Sequence, residues 1–426
     1  MRLTALELTD FRSYQELRLS LHPGTTVFVG PNGQGKTNIV EALWYLATLS
    51  SHRVPHDAAL MRRGCSSAII RASFVRAGRD LQVDLEITPG RSNRARVQEA
   101  PVHRLRDLLG EVRAVLFAPE DLGLVKAEPE GRRRFLDELL FLIAPRFASV
   151  KADYERVLKQ RSNLLKQMRT MRRGGTGRSV GGLDPAEAAA STLEVWDQQL
   201  ARIGAELLRA RLHLVNRLRP HVGYAYLRVA TDEGAEQALD LPPELRGAVD
   251  SPADITYRSA ILDRLGTEPG QLPNSADIAG SMLDLLADHR EDEIDRGVTL
   301  VGPHRDDLEI MLHDFPAKGY ASHGESWLLA LALRLGSYDL LCIEEGDLGD
   351  GEPILILDDV FSELDAHRRE RLGRIIAGAS QVLITTANDT DIPASLARDV
   401  HVVDVRLGEA RARSDGQPGL GSGARW

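Results

Sequence analysis

Residues Thr25 to Leu49 read TTVFVGPNGQGKTNIVEALWYLATL. A β-branched and aromatic run, Thr25-Thr26-Val27-Phe28-Val29, enters a glycine-rich turn, and the turn enters apolar Ile39, Leu43 and Leu46 at helical spacing. The stretch predicts strand, loop and helix. Within it Gly30, Gly35, Lys36 and Thr37 fill the pattern G-x-x-x-x-G-K-[ST]. Glycines at those positions let backbone N–H groups close around phosphate oxygens at a helix N-terminus. Lys36 is then expected to reach the β- and γ-phosphates, and Thr37 to hold Mg2+. A chance glycine-rich turn would not require both flanking elements, so a bound nucleoside triphosphate is the expectation.

The bulk composition narrows the setting. At 426 residues the chain exceeds one ordinary core, for which about 100 to 200 residues is usual, so two or three structural units are expected. Cys65 and Cys342 are the two cysteines, and neither lies in a C-x-x-C pair or a Cys/His cluster, which argues against a disulfide framework or a zinc site. No apolar run in the sequence approaches the ~18 residues of a membrane span, and no signal peptide is evident, so a cytoplasmic protein without a membrane partner is expected. The net charge of −9 speaks against a chain coated all over by nucleic acid, yet leaves room for a local basic face.

A second half of the nucleotide site is expected at Pro353-Ile354-Leu355-Ile356-Leu357-Asp358-Asp359, an apolar run ending in two carboxylates. That is the form of a buried parallel strand whose tip faces a Mg2+–phosphate group. Asp358 is expected to hold Mg2+ through water, and Asp359 to orient or deprotonate the attacking water. The bland alternative is a core strand ending in an acidic turn. A third element, Ala321-Ser322-His323-Gly324-Glu325, opens a long apolar helix and offers another anion-binding helix end. Because the chain already has its phosphate loop, this second end suits a nucleotide held by another subunit, with the nucleotide as glue between two copies.

In chain order, Thr4, Leu6 and Leu8 and then Leu17, Leu19 and Leu21 alternate as strands, Ala68–Val75 and Leu81–Ile87 suggest a β-meander, and Ala114–Phe117 another short strand. From about Arg132 to Arg219 strands vanish and helical spacing takes over, with a flexible loop expected at Arg173–Leu183 and a second long helix from Pro185 to about Arg219. A short strand is expected at Ala225–Ala230, one helix at Ile278–Asp295, strands at Val298–Val301 and Leu308–Leu312, and a long helix at Glu325–Leu341. No long heptad array or internal repeat is visible. The two halves of the nucleotide site lie far beyond one βαβ unit from each other, so a large unit is inserted into a single nucleotide-binding domain. The resulting division is residues 1–120 and 301–406 for the nucleotide-binding lobe, 121–300 for a mainly helical insertion, and 407–426 for a disordered tail.

The motifs GPNGQGKTN, Ser-x-Gly-Glu before a helix, LDDVFSELD at Leu357–Asp365 and ITT at Ile384–Thr386 resemble the ABC-type ATPase heads of chromosome-maintenance and DNA-repair proteins. Within that class LTDFRSY at Leu8–Tyr14, FAPEDL at Phe117–Leu122, EGRRRFLD at Glu130–Asp137 and GPHRDDL at Gly302–Leu308 are similar to the RecF family of bacterial recombination mediators. The resemblance implies an α/β fold: an ABC-type P-loop ATPase head of mixed sheets and helices, with an inserted mainly helical second lobe and no long coiled coil. It implies ATP and Mg2+ as ligands, with Gly30, Asn32, Gly33, Gly35, Lys36, Thr37 and Asn38 around the phosphates and Arg12 nearby, although an arginine at a strand end reads equally as a surface residue. It assigns Mg2+ to Thr37 and Asp358, and gives Asp359 the position of the usual catalytic glutamate, a shorter carboxylate that fits slow hydrolysis. Lys36 and Ser322 are assigned to catalysis as well. Ser322, Gly324 and Glu325 form the signature acting across an ATP-dependent homodimer, Asp365 couples the two sites, His323 replaces a common glycine, and Thr386 stands where transporters carry a switch histidine. The partners implied are RecR, with RecO and RecA in the same pathway.

DNA has its own expected surface. Between Lys151 and Arg178 nine basic residues, Lys151, Arg156, Lys159, Arg161, Lys166, Arg169, Arg172, Arg173 and Arg178, face only Asp153 and Glu155. Such a stripe can neutralise phosphates without reading bases, and no aromatic series for stacking single strands accompanies it, so double-stranded DNA or a single-strand/double-strand junction is the expected ligand. A solvated helix face is the bland alternative; Arg132, Arg133 and Arg134 either extend the stripe or pair with carboxylates. An ATP-gated DNA clamp is therefore favoured over a transporter ATPase subunit, which would carry a switch histidine, and over a chromosome-organising ATPase, which would carry heptads.

Overall fold

Strand β3 (Gly24–Val29), which leads into the phosphate loop, takes both of its sheet neighbours from the far end of the chain. The computed structural model describes residues 1–174, 185–230, 250–344, 351–396 and 400–413. On one side of β3 lies β13 (Gln381–Thr386) and on the other β14 (Val400–Arg406), both parallel to it. Next to β13 come β12 (Ile354–Asp358) and then β8 (Ala114–Phe117), again parallel, while β15 (Glu409–Ala412) closes the far edge antiparallel to β14. Strands β12 and β13 are buried along their whole length, which is why ILILD and QVLITT run without polar alternation.

An antiparallel sheet of order β2-β1-β4-β5-β6-β7 accompanies it. Its strands are β1 (Arg2–Phe11), β2 (Tyr14–Ser20), β4 (Ala68–Arg76), β5 (Arg79–Ile87), β6 (Arg94–Val97) and β7 (Ala100–Pro101). The two sheets are tied at Gln381, whose Oε1 accepts from Leu3 N–H (2.7 Å) and whose Nε2 donates to Leu3 O (2.9 Å). Helix α1 (Lys36–Thr48) packs on β8, β12 and β13 and is buried without a break from Ile39 to Ala47. Its Tyr45 hydroxyl accepts from Asn93 between β5 and β6 (3.2 Å).

These sheets belong to one compact unit, Met1–Lys126, Pro220–Ala253 and Ala317–Trp426; Ala127–Arg219 and Asp254–Pro316 form a second. The unit boundaries thus fall at 126/127 and 316/317 instead of 120 and 300, and residues 220–253 return to the first unit. The first unit also holds α2 (Leu122–Lys126), the long signature helix His323–Glu344 and the helix Ala366–Ile376. Among the described residues the signature helix alone is long and apolar enough to cross a membrane, contrary to the expectation that no such run exists; its most apolar 18 residues are 72% buried, as suits a core helix. Its Trp327 meets Phe117 of β8 edge to face, with ring centres 5.4 Å apart.

The second unit is mainly helical as expected, with α3 (Pro129–Ile143), α4 (Arg146–Gly174), most of α5 (Pro185–Ala230), α6 (Ala260–Leu265), α7 (Ser275–Asp288) and α8 (Arg290–Arg296). It also carries a small three-stranded sheet of β9 (Ala253–Arg258), β10 (Asp307–Leu312) and β11 (Phe315–Pro316), the last two antiparallel. Four local expectations are corrected. Ala225–Ala230 is the last part of α5 and not a strand: Val222, Ala225 and Val229, at i, i+3 and i+7, are buried, and this burial offsets the kink penalty of Pro220 within the helix. Ile278–Asp295 breaks into α7 and α8 at His289, whose ψ of 4° leaves the helix. Val298–Val301 is a loop because side chains take its backbone groups: Leu300 N–H donates to Glu293 Oε1 (2.7 Å), and Thr299 O accepts from Arg305 Nη2 (2.8 Å). Residues 407–412 of the expected tail form a turn and β15, whereas 414–426, like 175–184 of the expected flexible loop and Arg178 within it, lie outside the described residues.

Arg161, expected on the DNA stripe, is instead fully buried in the second unit. Its Nε donates to Asp197 of α5 (2.6 Å), Nη2 to Glu293 of α8 (2.6 Å) and Nη1 to the Thr299 hydroxyl (2.9 Å). Three elements are therefore pinned by one guanidinium. At ~100° per residue Arg161 falls on the same face of α4 as buried Tyr154 and Leu165, and about 160° from Lys159. Replacing it removes the cation paired with fully buried Glu293 and leaves Asp197 to Arg290 (3.1 Å), so Arg161→Leu is expected to cost roughly 3 kcal/mol or more in urea unfolding; a loss below about 1 kcal/mol would show that the network does not hold the helices together.

Candidate nucleotide site

The phosphate loop, residues 30–37, is shaped by what surrounds its glycines. A Cβ on Gly30 would sit 2.1 Å from Val405 O of β14, and one on Gly35 would sit 2.8 Å from Ser13 Oγ and 2.9 Å from Tyr14 Oη. Gly33 and Gly35 also need positive φ, +80° and +111°, a region closed to most side chains. The loop is held from outside through Gln34, whose Oε1 accepts from Leu407 N–H (2.8 Å). Lys36 folds back over this loop, donating to Gly30 O (2.6 Å) and Pro31 O (3.1 Å), with Asn32 Oδ1 at 3.4 Å. Burial pushes its ammonium below the usual lysine range, while the carboxylates of Asp359 and Asp358 oppose the shift.

The parallel register brings the second half to the first. Asp358 ends β12, and its Oδ1 accepts from Thr37 Oγ1 (2.9 Å) and from Thr385 Oγ1 of β13 (2.5 Å). Asp359 follows at φ +54°, a left-handed turn that asparagine and aspartate tolerate better than most residues. Its N–H donates to Thr385 Oγ1 (2.9 Å), which fixes the turn. Asp359 Oδ1 is buried with no hydrogen-bond partner among the described residues. Burial pushes this carboxyl upward, Lys36 pulls it down and Asp358 raises it further.

Other expected site residues are differently engaged. Arg12, in the β1–β2 turn, gives Nε and Nη2 to Glu41 of α1 (2.8 and 2.5 Å) and Nη1 to Ala59 O (2.9 Å), so its guanidinium is committed to protein partners. Asn38 donates to Ser13 Oγ (2.9 Å) and accepts from Arg53 (3.1 Å). Ser322 is exposed. Ser322 and Glu325 cap the signature helix reciprocally: Ser322 Oγ accepts from Glu325 N–H (3.3 Å) and Glu325 Oε2 from Ser322 N–H (2.8 Å). A Cβ on Gly324 would lie 3.5 Å from Arg368. Asp365 caps the helix Ala366–Ile376 by accepting from Arg368 N–H (2.9 Å), and His323 Nε2 accepts from Trp327 (3.2 Å). Thr386 hydrogen-bonds Asp391 (3.3 Å); its neighbour Thr385, which sequence reasoning passed over, is the threonine that serves Asp358.

On the second unit the basic stripe thins. Lys151 bridges Asp137 (3.4 Å) and Glu155, Arg156 pairs with Asp153, Arg169 donates to Arg296 O (3.0 Å), and Arg172 pairs with Asp295 (3.0 Å). Lys159, Lys166 and Arg173 are exposed on one face of α4. Of the three arginines ahead of them, Arg132 forms a bidentate pair with Asp307 (2.8 and 2.8 Å) and Arg133 donates to Asp306 O (2.7 Å). Arg134 is exposed.

A lysine-bearing loop at a helix N-terminus, two carboxylates at the tip of the strand two places away, and a serine-capped signature helix define an ABC-type ATPase head. The family described as RecF/RecN/SMC N terminal domain matches residues 2–406. DNA replication and repair protein RecF of Beutenbergia cavernae is 52% identical over 405 residues, covering 93% of this chain and 96% of that protein. The protein of the same name from Frankia alni is 52% identical over 403 residues, covering 95% and 98%. A solved structure of the recombination mediator protein RecF-ATPrS in the RecFOR pathway superposes with a TM-score of 0.79 at 21% identity, covering 97% of this chain and 98% of that one. The chain belongs to the RecF family of DNA replication and repair proteins.

The contact of Gly30 with β14 generates a prediction. Gly30→Ala must push Val405 away, and is expected to lower stability by ~1–3 kcal/mol in thermal unfolding. An unchanged melting temperature would show that β14 does not press on the loop.

Proposed function

We propose that this protein is an ATP-operated DNA repair switch: two copies close on ATP, the closed dimer is retained on double-stranded DNA or at junctions with single strands, and slow hydrolysis releases it. The observation that carries this reading is the hydrogen bond from Thr37 to Asp358, which joins two motifs 321 residues apart into one site. The solved relatives named RecF-ATP and RecF-ATPrS support ATP as the nucleotide. The RecFOR pathway named for them supports RecR and RecO as partners, in loading RecA at single-strand gaps.

The residues fit a Mg2+–triphosphate. Thr37 and Asp358 are a hydroxyl and a carboxylate, the hard oxygen donors that Mg2+ prefers, and among the described residues no group of three or more acidic, His or Cys side chains could hold an ion without phosphate oxygens. When bound, the ion would neutralise charge on the phosphates. Lys36 can leave the carbonyls of its own loop for phosphate oxygens, which are better partners for an ammonium. Asp359, held by Thr385 and made more basic by burial, suits acceptance of a proton from the attacking water. Its unbonded Oδ1 is available for that water. Exposed Ser322 at the signature helix end suits contact with a phosphate bound to a second copy.

Sedimentation with and without MgATP tests the switch. Wild type should dimerise with ATP. Ser322→Arg should bind ATP normally and stay monomeric, because the added side chain keeps the helix end from a phosphate. Lys36→Ala should lose ATP affinity by about tenfold to a hundredfold, the range for a charge-assisted hydrogen bond. A Ser322→Arg protein that dimerises like wild type would overturn the trans contact.

For DNA, exposed Lys159 and Lys166 are the residues to change. Lys159→Glu combined with Lys166→Glu should weaken duplex binding regardless of sequence and flatten the salt slope by about one per lost phosphate contact, leaving ATP affinity intact. An unaltered salt slope would move the DNA surface elsewhere.

A further inference from the structure

We propose that His52 is a positioning residue that distinguishes a nucleoside triphosphate from a diphosphate, by hydrogen-bonding the γ-phosphate end of the Mg2+-bound ligand. The inference rests on the site proposed above. His52 lies in the segment that follows α1, and its side chain is only 8% exposed. Neither ring nitrogen has a hydrogen-bond partner among the described residues. Nε2 lies 3.8 Å from Asp358 Oδ2, beyond hydrogen-bond reach. Since Thr37 and Thr385 both donate to Oδ1, the carboxylate oxygen that faces the imidazole is the one they leave.

The chain is held on both sides of His52. Ser51 Oγ donates to Glu41 (2.5 Å) and accepts from the N–H groups of Arg53 (3.0 Å) and Val54 (3.1 Å). Arg53 reaches back to Asn38 on α1 (3.1 Å). Glu41 itself is fully buried and clamped by Arg12. One buried glutamate on the phosphate-loop helix thus anchors the residue before His52, while the residue after it is tied to the same helix.

A buried imidazole with both nitrogens unbonded is costly, and such groups in native proteins are explained by a partner that arrives with function. Beside the carboxylate assigned to Mg2+, the partner of fitting chemistry is a phosphate oxygen of the bound triphosphate. Phenylalanine or leucine would fill the same space without that cost, so packing alone does not account for a histidine here.

Calorimetric titration of the full chain with MgATP and MgADP tests the role. His52→Leu should lose at least about tenfold in ATP affinity, the effect of one hydrogen bond to a charged group, and less than about threefold in ADP affinity. His52→Gln, with an amide N–H at comparable reach, should recover most of the ATP affinity. His52→Asn, whose amide is shorter, should not, which gives the same contrast without an apolar residue should His52→Leu fail to fold. The ligand-free melting temperature of His52→Leu should equal or exceed that of wild type, because an unbonded polar group has been removed. Variants that keep the wild-type ratio of ATP to ADP affinity overturn the assignment, as does recovery by His52→Asn equal to that by His52→Gln. Wild-type protein that binds neither nucleotide would overturn the site itself, a result separable from the first because it appears before any substitution.

Discussion

Everything at the nucleotide site depends on the oxygen of Asp358 that receives two threonine hydroxyls, one from each side. Thr37 comes from the phosphate loop after β3, Thr385 from β13, and Asp358 from β12. The strand order β3-β13-β12 makes this possible, because the middle strand supplies the hydroxyl that fills the gap between the outer two. Thr385 then serves twice, since it also receives the N–H of Asp359 and fixes the left-handed turn that carries the second carboxylate. A single hydroxyl therefore aligns a carboxylate suited to an ion and a carboxylate suited to a water.

The nucleotide-binding core was legible in the sequence because its signals are local. The run from Thr25 to Leu46 is strand, loop and helix in sequence and in structure, and ILILD needed no partner to be recognised as a buried parallel strand. What stayed hidden depends on distant residues. Sequence does not tell Thr385 from Thr386, because only the register of β13 against β12 decides which of the two faces Asp358. Charge summed along the chain places Arg161 on the stripe, whereas spacing around the helix places it on the arc of Tyr154 and Leu165. The strand expected at Ala225–Ala230 is helix because burial of Val222 and Ala225 carries α5 onward past Pro220. The spacing of Ser322 and Glu325 suits a phosphate-seeking helix end and equally a capping box, and the two residues cap each other in the structure.

In the second unit, the segments EGRRRFLD and GPHRDDL pack together. Arg132 and Asp137 of EGRRRFLD meet GPHRDDL through Asp307 and, by way of Arg211, through Pro303 O (2.7 Å). Tyr257 adds a hydrogen bond to Asp306 (2.9 Å), whose carboxyl burial pushes up to about 7. Nearly every charge in this cluster has a partner, which is how a helical unit can bury guanidinium and carboxylate groups without leaving one uncompensated. Of the arginines that could extend the stripe or pair with carboxylates, Arg132 and Arg133 hold α3 against β10 and the loop before it.

The neighbours of β3 carry a consequence for synthesis. Its two sheet partners, β13 and β14, begin at Gln381 and Val400, and the turn at Leu407 steadies the loop through Gln34. While the chain is being made, the strand that leads to the phosphate loop lacks both of its sheet partners until synthesis has passed Gln381. An apolar strand left open for that long invites pairing with other chains. Sheets closed by contacts of such sequence separation also form slowly. From Val29 to Gln381 the nascent chain thus carries its parallel sheet incomplete, and shielding of that strand during translation would protect it.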